Sequence, residues 1–264
     1  MSLFNKKNLQ ESAITKENLT KLEQNIANIK EVKVNLNDDV DKIVDQKVID
    51  YLVELIQNKS AIKNKKLNRP FIICIDGCGG SGKGTIAKRL GDKINDLKII
   101  STDYLYNFKN KDSDDYLSYF NWEKLKNEII NPLVNTGEVV YEKYSLFPPR
   151  DKIHDDIIKS DNIVLVEGFG ALNINLTDYY DLKIWVDLNV EISIERALDR
   201  DLKESGTRQD RIESVNNFWI FWKKIIKNRI KNEKPSNLAD IVISTENYYK
   251  IIKNKFQHSS LITQ

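Results

Sequence analysis

Apolar residues follow two different periods along this chain of 264 residues. Over 19–29 and 40–56 they recur three and four positions apart, which is typical of amphipathic helices. The segment 58–70 is polar, rich in lysine and ends in proline, so it is interpreted as a linker. The pattern predicts a helical extension with its linker over residues 1–69 and a second domain over 70–264. The helices either pack on that domain, which we favour, or form an arm that binds a partner.

After residue 70, short continuous apolar runs alternate with helical patterns. Runs that are apolar on both faces are typical of strands buried in a parallel sheet. The predicted strands are FIICID (71–76), LKIIS (97–101), EVVYEKY (138–144), NIVLVEG (162–168), LKIWVDL (182–188) and DIVIS (240–244), with a last helix after them. This order predicts an α/β fold, in which a mostly parallel sheet with right-handed crossovers is flanked by helices.

Composition restricts the class of protein. The chain is 41% hydrophobic and 30% charged, with 41 basic and 39 acidic residues and a net charge of +2. This balance suits a soluble domain and argues against a nucleic-acid-binding protein, in which clustered positive charge dominates. The sequence has neither an apolar run of the ~20 residues that span a bilayer nor a secretory signal, so we expect a cytoplasmic protein. Formation of a homo-oligomer is left open.

A glycine-rich loop lies between the first predicted strand and the next helix. Gly77, four further residues, Gly82 and Lys83 fit the pattern G-x-x-x-x-G-K, in the strand-to-helix context that this pattern requires. Glycine lets successive backbone N–H groups turn toward a phosphate, and Lys83 adds a full positive charge. The predicted phosphate-binding residues are Gly77, Cys78, Gly79, Gly80, Ser81, Gly82, Lys83, Gly84 and Thr85.

The residue after the lysine is Gly84, where the general pattern has a serine or threonine. The nearest hydroxyl groups belong to Thr85, one position further along, and to Ser81. The ending Gly-Lys-Gly-Thr is similar to the loop of adenylate and cytidylate kinases. That similarity implies that the Thr85 hydroxyl meets nucleotide phosphate or metal-bound water, while the metal rests more on carboxylates and water.

Two carboxylates follow predicted strands of the sheet. Asp103 comes two residues after LKIIS, and Glu167 comes directly after the apolar run IVLV. Open α/β sheets bind their ligands at the carboxyl ends of the strands. A carboxylate there can accept a proton from a substrate hydroxyl or bind magnesium through water. Taken alone, Asp103 is equally consistent with a helix N-cap.

The order of these segments resembles the uridine kinase and phosphoribulokinase family of P-loop kinases. The resemblance covers about 71–245 and rests on the loop Gly77–Thr85, STDYLY (101–106), YFNWEKLKNEIINPLVNTGEVV (119–140), VLVEGFGALN (164–173), LKIWVDLNVEISIERALDRD (182–201) and LADIVIS (238–244). It implies a P-loop NTPase-type fold with a small helical lid, and ATP and Mg²⁺ as cofactors.

The resemblance also implies roles for single residues. Asp103 matches the catalytic base, and Glu167 matches the magnesium-associated carboxylate. The implied catalytic residues are Lys83, Asp103 and Arg200. The nucleotide is held by the loop with Arg196 and Arg200, and the metal by Thr85, Asp103 and Glu167. The implied acceptor-binding residues are Asp103, Tyr106, Asp115, Tyr144, Arg150 and Arg208. Tyr116-Leu117 stands where the family has His-Pro.

These features predict a kinase that transfers the ATP γ-phosphate to a hydroxyl, in the first place that of a nucleoside. One alternative is another hydroxyl acceptor such as pantothenate. A second alternative is a nucleoside monophosphate kinase, which needs several arginines to grip the acceptor phosphate, whereas the region 104–150 contains only Arg150. A third is a nucleotide-binding regulatory protein with little turnover, against which the presence of both Asp103 and Glu167 argues.

Overall fold

The computed structural model describes residues 38–67, 69–106, 116–144, 152–205 and 209–256. The chain divides into two units, 1–40 and 41–264, and apart from residues 38–40 everything described below belongs to the second unit. No helix in the described ranges combines the length and the apolar character needed to cross a bilayer.

A six-stranded sheet forms the centre of the second unit. Its strands are β1 (Phe71–Gly77), β2 (Leu97–Ser101), β5 (Ile163–Glu167), β6 (Leu182–Asp187), β7 (Ile241–Ser244) and β8 (Lys250–Asn254), and a separate hairpin contains β3 (Glu138–Tyr144) and β4 (Lys152–Lys159). The order across the sheet is β2-β5-β1-β6-β7-β8, and all neighbours run parallel except β7 and β8. The predicted mostly parallel α/β sheet is confirmed.

Helices precede, connect and follow these strands. The longer ones are α1 (Asp38–Leu67), α2 (Lys83–Gly91), α5 (Val190–Ser205) and α6 (Gln209–Glu233), and a short α7 (Pro235–Leu238) precedes β7. Between β2 and β3 lie two 3₁₀ turns (Thr102–Leu105 and Tyr116–Tyr119), α3 (Trp122–Lys124), a π-helical segment (Leu125–Ile130) and α4 (Asn131–Thr136). A third 3₁₀ turn, Thr177–Tyr179, lies between β5 and β6.

Alternate residues of β1 enter two apolar cores on opposite faces of the sheet. On one face, Ile73 belongs to a buried cluster that includes Ile49 and Leu52 of α1. On the other face, Ile72 belongs to a cluster that includes Trp222 of α6. Full burial of one such aliphatic side chain contributes about 1.5–3 kcal/mol. The middle of α1 therefore packs on the sheet.

Three segments differ from the expectation based on sequence. Strand β4 was not predicted, and it pairs with β3 in an antiparallel hairpin outside the six-stranded sheet. Helix α1 continues to Leu67 through most of the segment interpreted as a linker, because lysine and alanine are good helix formers and the chain reaches a proline only at Pro70. The segment after β7 forms strand β8 instead of a helix. Ile251 of β8 pairs with Ile243 of β7, and a β-branched residue beside an open strand edge favours this pairing.

Candidate active site

The glycine-rich loop joins β1 to α2 through a tight turn. β1 is buried along its whole length, and the Ser81 amide donates a hydrogen bond to the Cys78 carbonyl oxygen (3.1 Å). Gly80 and Gly82 adopt left-handed φ angles of 81° and 89°, which residues with a side chain rarely adopt. α2 begins at Lys83, and its first N–H groups have no partner within the helix, so they are available to an anion.

Two side chains from distant elements hold the loop from outside. Ser193 Oγ of α5 donates to the Gly79 carbonyl oxygen (2.6 Å), and Thr245 Oγ1 after β7 donates to the Ser81 carbonyl oxygen (2.7 Å). A Cβ atom built on Gly80 would lie 2.0 Å from the Ser193 carbonyl oxygen, so only glycine fits there. The loop is therefore held in shape before any ligand binds, which lowers the entropic cost of binding.

We expect Gly80→Ala to lower the free energy of unfolding more than Gly82→Ala does. Both positions have a left-handed φ, which costs a residue with a Cβ atom roughly 1–2 kcal/mol. Among the described residues, a Cβ atom on Gly82 meets nothing within 4 Å, whereas one on Gly80 collides with the backbone of α5. Urea denaturation measures both values. Equal losses would show that α5 does not constrain the loop.

Two buried polar atoms near the loop, Ser81 Oγ and Glu167 Oε2, have no hydrogen-bond partner among the described residues. Glu167 ends β5 and lies between Ile75 of β1 and Ser101 of β2. A buried polar atom without a partner is costly and is therefore uncommon in proteins. Both atoms fit a site that a polar ligand completes, such as a phosphate or a metal ion with its waters.

The second carboxylate, Asp103, is exposed in the 3₁₀ turn after β2, and its backbone N–H donates to Ser101 Oγ (3.3 Å). Burial raises the pKa of the Glu167 carboxyl, nearby Lys83 lowers it, and the Asp103 and Asp76 charges raise it further. The structure thus brings Lys83, Asp103 and Glu167 together at the carboxyl ends of the central strands. Two carboxylates and one amine can together bind phosphate, a divalent cation and a proton-donating hydroxyl.

Gly84 leaves open space beside Glu167. A Cβ atom built on Gly84 would lie 3.8 Å from Glu167 Oε1, an ordinary contact distance. A cavity of about 270 Å³ opens here, with Gly84, Ser101 and Glu167 among its lining residues. Thr85, the nearest hydroxyl after the lysine, is exposed. Glu167 shares the lining of this cavity with two other charged residues, Lys88 and Asp92.

Two of the predicted arginines lie on α5. Arg196 donates hydrogen bonds to the carbonyl oxygens of Thr245 (2.9 Å) and Glu246 (2.7 Å), and so holds the loop that follows β7. Arg200 is exposed, and its Nε atom lies 2.7 Å from Asp201 Oδ1. In this structure both arginines bind protein groups, and their contacts with phosphate stay predictions.

Tyr106 belongs to an aromatic cluster on the acceptor side of the predicted site. Its ring centroid lies 5.6 Å from that of Phe120, 6.2 Å from that of Tyr119 and 6.3 Å from that of Trp222 on α6. The cluster connects the segment after β2 with α6. The remaining predicted acceptor residues lie outside the part that the structure describes: Asp115, Arg150, Arg208 and the side chain of Tyr144.

Sequence reasoning missed a buried ion pair beneath the loop. Asp76 directly precedes Gly77, and its Oδ1 atom lies 3.0 Å from Nη1 of Arg229 on α6, with both side chains fully buried. The available signals were an aspartate inside the apolar run FIICID and an arginine among the lysines and isoleucines of KKIIKNRIK. Each signal is weak alone, since the two residues are far apart in sequence.

Comparison with known proteins identifies the family. The family model "Phosphoribulokinase / Uridine kinase family" matches residues 72–251. The uridine kinase of Lactobacillus helveticus is 29% identical over 191 residues, which cover 67% of this chain and 88% of that protein. The uridine kinase of Saccharomyces cerevisiae is 30% identical over 191 residues, which cover 66% of this chain and only 36% of that protein.

A solved structure shows the same fold. D-glycerate 3-kinase from Cryptococcus neoformans superposes with a TM-score of 0.57 at 11% sequence identity, over 78% of this chain and 97% of that one. At this identity the likeness concerns the fold alone. The family match covers more than half of the chain and includes the glycine-rich loop and both strand-end carboxylates. The chain therefore belongs to the phosphoribulokinase/uridine kinase family of P-loop kinases, which are phosphotransferases with a hydroxyl group as acceptor.

Proposed function

We propose that the protein transfers the γ-phosphate of ATP to a hydroxyl of a nucleoside, most simply its primary hydroxyl. The observation that carries this proposal is the meeting of Lys83, Asp103 and Glu167 at the ends of adjacent strands, beside a preformed phosphate-binding loop. The uridine kinases among the relatives support a nucleoside as the acceptor. A cytoplasmic location and a homo-oligomer stay expectations.

In the proposed reaction, the loop amides and Lys83 bind the ATP phosphates. The acceptor oxygen forms a bond to the γ-phosphorus while the bond from that phosphorus to the bridging oxygen breaks, and the electron pair leaves on ADP. Asp103 is exposed and its carboxylate accepts the proton of the acceptor hydroxyl. Ser81 Oγ, which is buried without a partner among the described residues, would donate to a phosphate oxygen.

The residues beside the loop fit the magnesium ion that the family implies. No group of three or more His, Cys, Asp or Glu side chains within the described ranges could hold a metal by itself. Mg²⁺ keeps several waters and binds through one or two carboxylates plus substrate phosphate. This suits Glu167, whose Oε2 atom has no hydrogen-bond partner among the described residues, assisted by Asp103 and Thr85. When bound, the ion offsets negative charge on the phosphate oxygens.

Arginines on helix α5 and just after it would complete the site. Arg200 lies on the exposed side of α5, and with Arg208 it would offset the charge that spreads over the transferring phosphoryl group. Arg196 would act on the nucleotide through the loop after β7, which it holds by two hydrogen bonds. Around the acceptor we propose Tyr106 and Asp115, with Tyr144 and Arg150 near the base.

The test is a transfer assay with purified protein and γ-labelled ATP. The acceptors are uridine, cytidine and purine nucleosides, together with pantothenate, ribulose 5-phosphate and nucleoside monophosphates. We expect label on at least one nucleoside and none on the monophosphates. Label only on a monophosphate would establish the alternative to which the Gly-Lys-Gly-Thr ending points, and ATP binding without any transfer would establish a regulatory protein.

Deleting residues 1–36 should leave activity measurable, because the family match begins at residue 72 and the described contacts of α1 with the sheet begin later. Deleting residues 1–60 should instead lower the melting temperature, since it removes Ile49, Leu52 and Ile56, each worth about 1.5–3 kcal/mol of burial. Thermal unfolding and the transfer assay test both. A folded but inactive 1–36 deletion would mean that this segment contributes to the site.

A further inference from the structure

The carboxylate of Asp76 is a buried junction at the start of the phosphate-binding loop. It accepts backbone hydrogen bonds from Gly77 (2.6 Å), Gly170 (3.2 Å) and Leu172 (2.8 Å). It also accepts two bonds from Arg229, at 3.0 Å from Nη1 and 2.5 Å from Nη2. One side chain thus joins β1, the segment after β5 and helix α6.

Arg229 extends this junction toward the acceptor side. Its guanidinium carbon lies 4.8 Å from the ring centroids of Tyr116 and Phe169 and 5.6 Å from that of Trp185. Its Nε atom lies 3.4 Å from Glu233 Oε2, and the same oxygen accepts a hydrogen bond from the Tyr116 hydroxyl (2.7 Å). A continuous polar path therefore runs from the root of the loop to Tyr116.

A purely structural role explains this arrangement poorly. Apolar residues of similar volume often stabilise a core as well as a buried ion pair does, whereas a two-pronged pair fixes relative orientation. Burial by itself would lower the pKa of Arg229, but the charge and hydrogen bonds of Asp76, together with Tyr116 and Glu233, raise it, so the guanidinium stays charged. The pair therefore fixes the orientation of α6 relative to β1 and the segment after β5.

We propose that Asp76 and Arg229 are positioning residues that fix the acceptor-side segment beginning at Tyr116 relative to the phosphate-binding loop. Tyr116 begins the 3₁₀ turn that contains Tyr119, whose ring centroid lies 6.2 Å from that of the proposed acceptor residue Tyr106, so the placement of this turn sets where the acceptor lies relative to the γ-phosphate. The expected kinetic effect rests on the proposed function, whereas the expected effect on the position of the Tyr116 segment does not. Small errors in such placement are costly in rate.

A second, partly buried ion pair provides a control. Arg69 donates to Asp181 at 2.9 Å and 2.8 Å, and Asp181 also accepts a hydrogen bond from the Ile72 amide (2.9 Å). This pair has the same two-pronged geometry but lies at the opposite end of β1 from the loop. Loss of either pair removes a two-pronged ion pair, and only loss of the Arg229 pair should disturb the acceptor segment.

The experiment compares Arg229→Lys, Arg69→Lys and Tyr116→Phe in the full chain. Tyr116→Phe removes only the hydroxyl that bonds Glu233, so it should fold normally and raise the KM for the acceptor about fivefold while the KM for ATP changes less than about twofold. Arg229→Lys should lower kcat by about tenfold or more. Arg69→Lys should leave both kinetic constants unchanged.

Hydrogen exchange gives a reading that does not depend on turnover. Backbone amides within 116–122 should exchange at least about fivefold faster in Arg229→Lys than in Arg69→Lys under identical conditions. Equal exchange in the two variants overturns the inference, whether or not the protein phosphorylates nucleosides. An unchanged acceptor KM in Tyr116→Phe also overturns it. Absence of transfer by the wild-type protein counts against the proposed function alone.

Discussion

Lys83→Ala lowers turnover to less than about a tenth of the wild-type rate, a loss of at least ~1.4 kcal/mol of transition-state stabilisation. Lys83 begins α2 beside the loop, where its charge reaches the outer phosphates of ATP. The same charge lowers the pKa of Glu167. Removal of the Lys83 charge should therefore raise the pKa of Glu167 further and move the acidic limb of the residual pH–rate profile to higher pH.

Lys93→Ala is the control for this variant. Lys93 lies just past the end of the same helix and forms an exposed ion pair with Asp50 (3.0 Å), which is worth little in stability. Turnover should be unchanged in Lys93→Ala. Steady-state kinetics with saturating ATP and acceptor distinguish the two variants, and a Lys83→Ala protein that retains most of its activity would refute the assignment of the loop.

Asp103→Asn lowers turnover by at least about a hundredfold while ATP affinity changes little, because general-base help is worth roughly 10²–10⁴ in rate. The substitution keeps the size of the side chain and removes its basicity and charge. Nucleotide contacts come from the loop amides and Lys83, so they persist. Since Asp103 is exposed, the melting temperature should not change.

Asp178 provides a matched control for Asp103. Asp178 lies in another Thr-Asp-Tyr sequence, in the 3₁₀ turn Thr177–Tyr179, and is exposed as well. Asp178→Asn should keep full turnover. If affinity and rate fall together in Asp103→Asn, the residue serves mainly to hold the metal. If neither falls, Glu167 becomes the candidate base.

The elements closest to the chemistry were predictable because their signals are local. The run FIICID, the four loop glycines among residues 77–83 and the carboxylate that ends β5 each occupy a few consecutive positions. Strand β8 was not predicted, since its two isoleucines among lysines suit a helix or a strand equally. Only the neighbouring edge of β7 decides between them.

The ion pair between Asp76 and Arg229 could not be predicted for a different reason. The two residues are 153 positions apart, and neither carries a pattern that points to the other. Their contact depends on how α6 packs across the sheet, which no local sequence pattern predicts. Apolar strands rarely bury a lone aspartate, so Asp76 itself signalled that a partner exists.

Phosphoryl transfer to a nucleoside is tested most directly by counting products. Purified protein is incubated with ATP and the nucleoside that accepts label, and ADP and nucleoside monophosphate are quantified over the same interval. A nucleoside kinase should form equal amounts of the two products and negligible ADP when the nucleoside is omitted. ADP formed at the same rate without the nucleoside, or with no phosphorylated nucleoside beside it, would contradict phosphoryl transfer to a nucleoside.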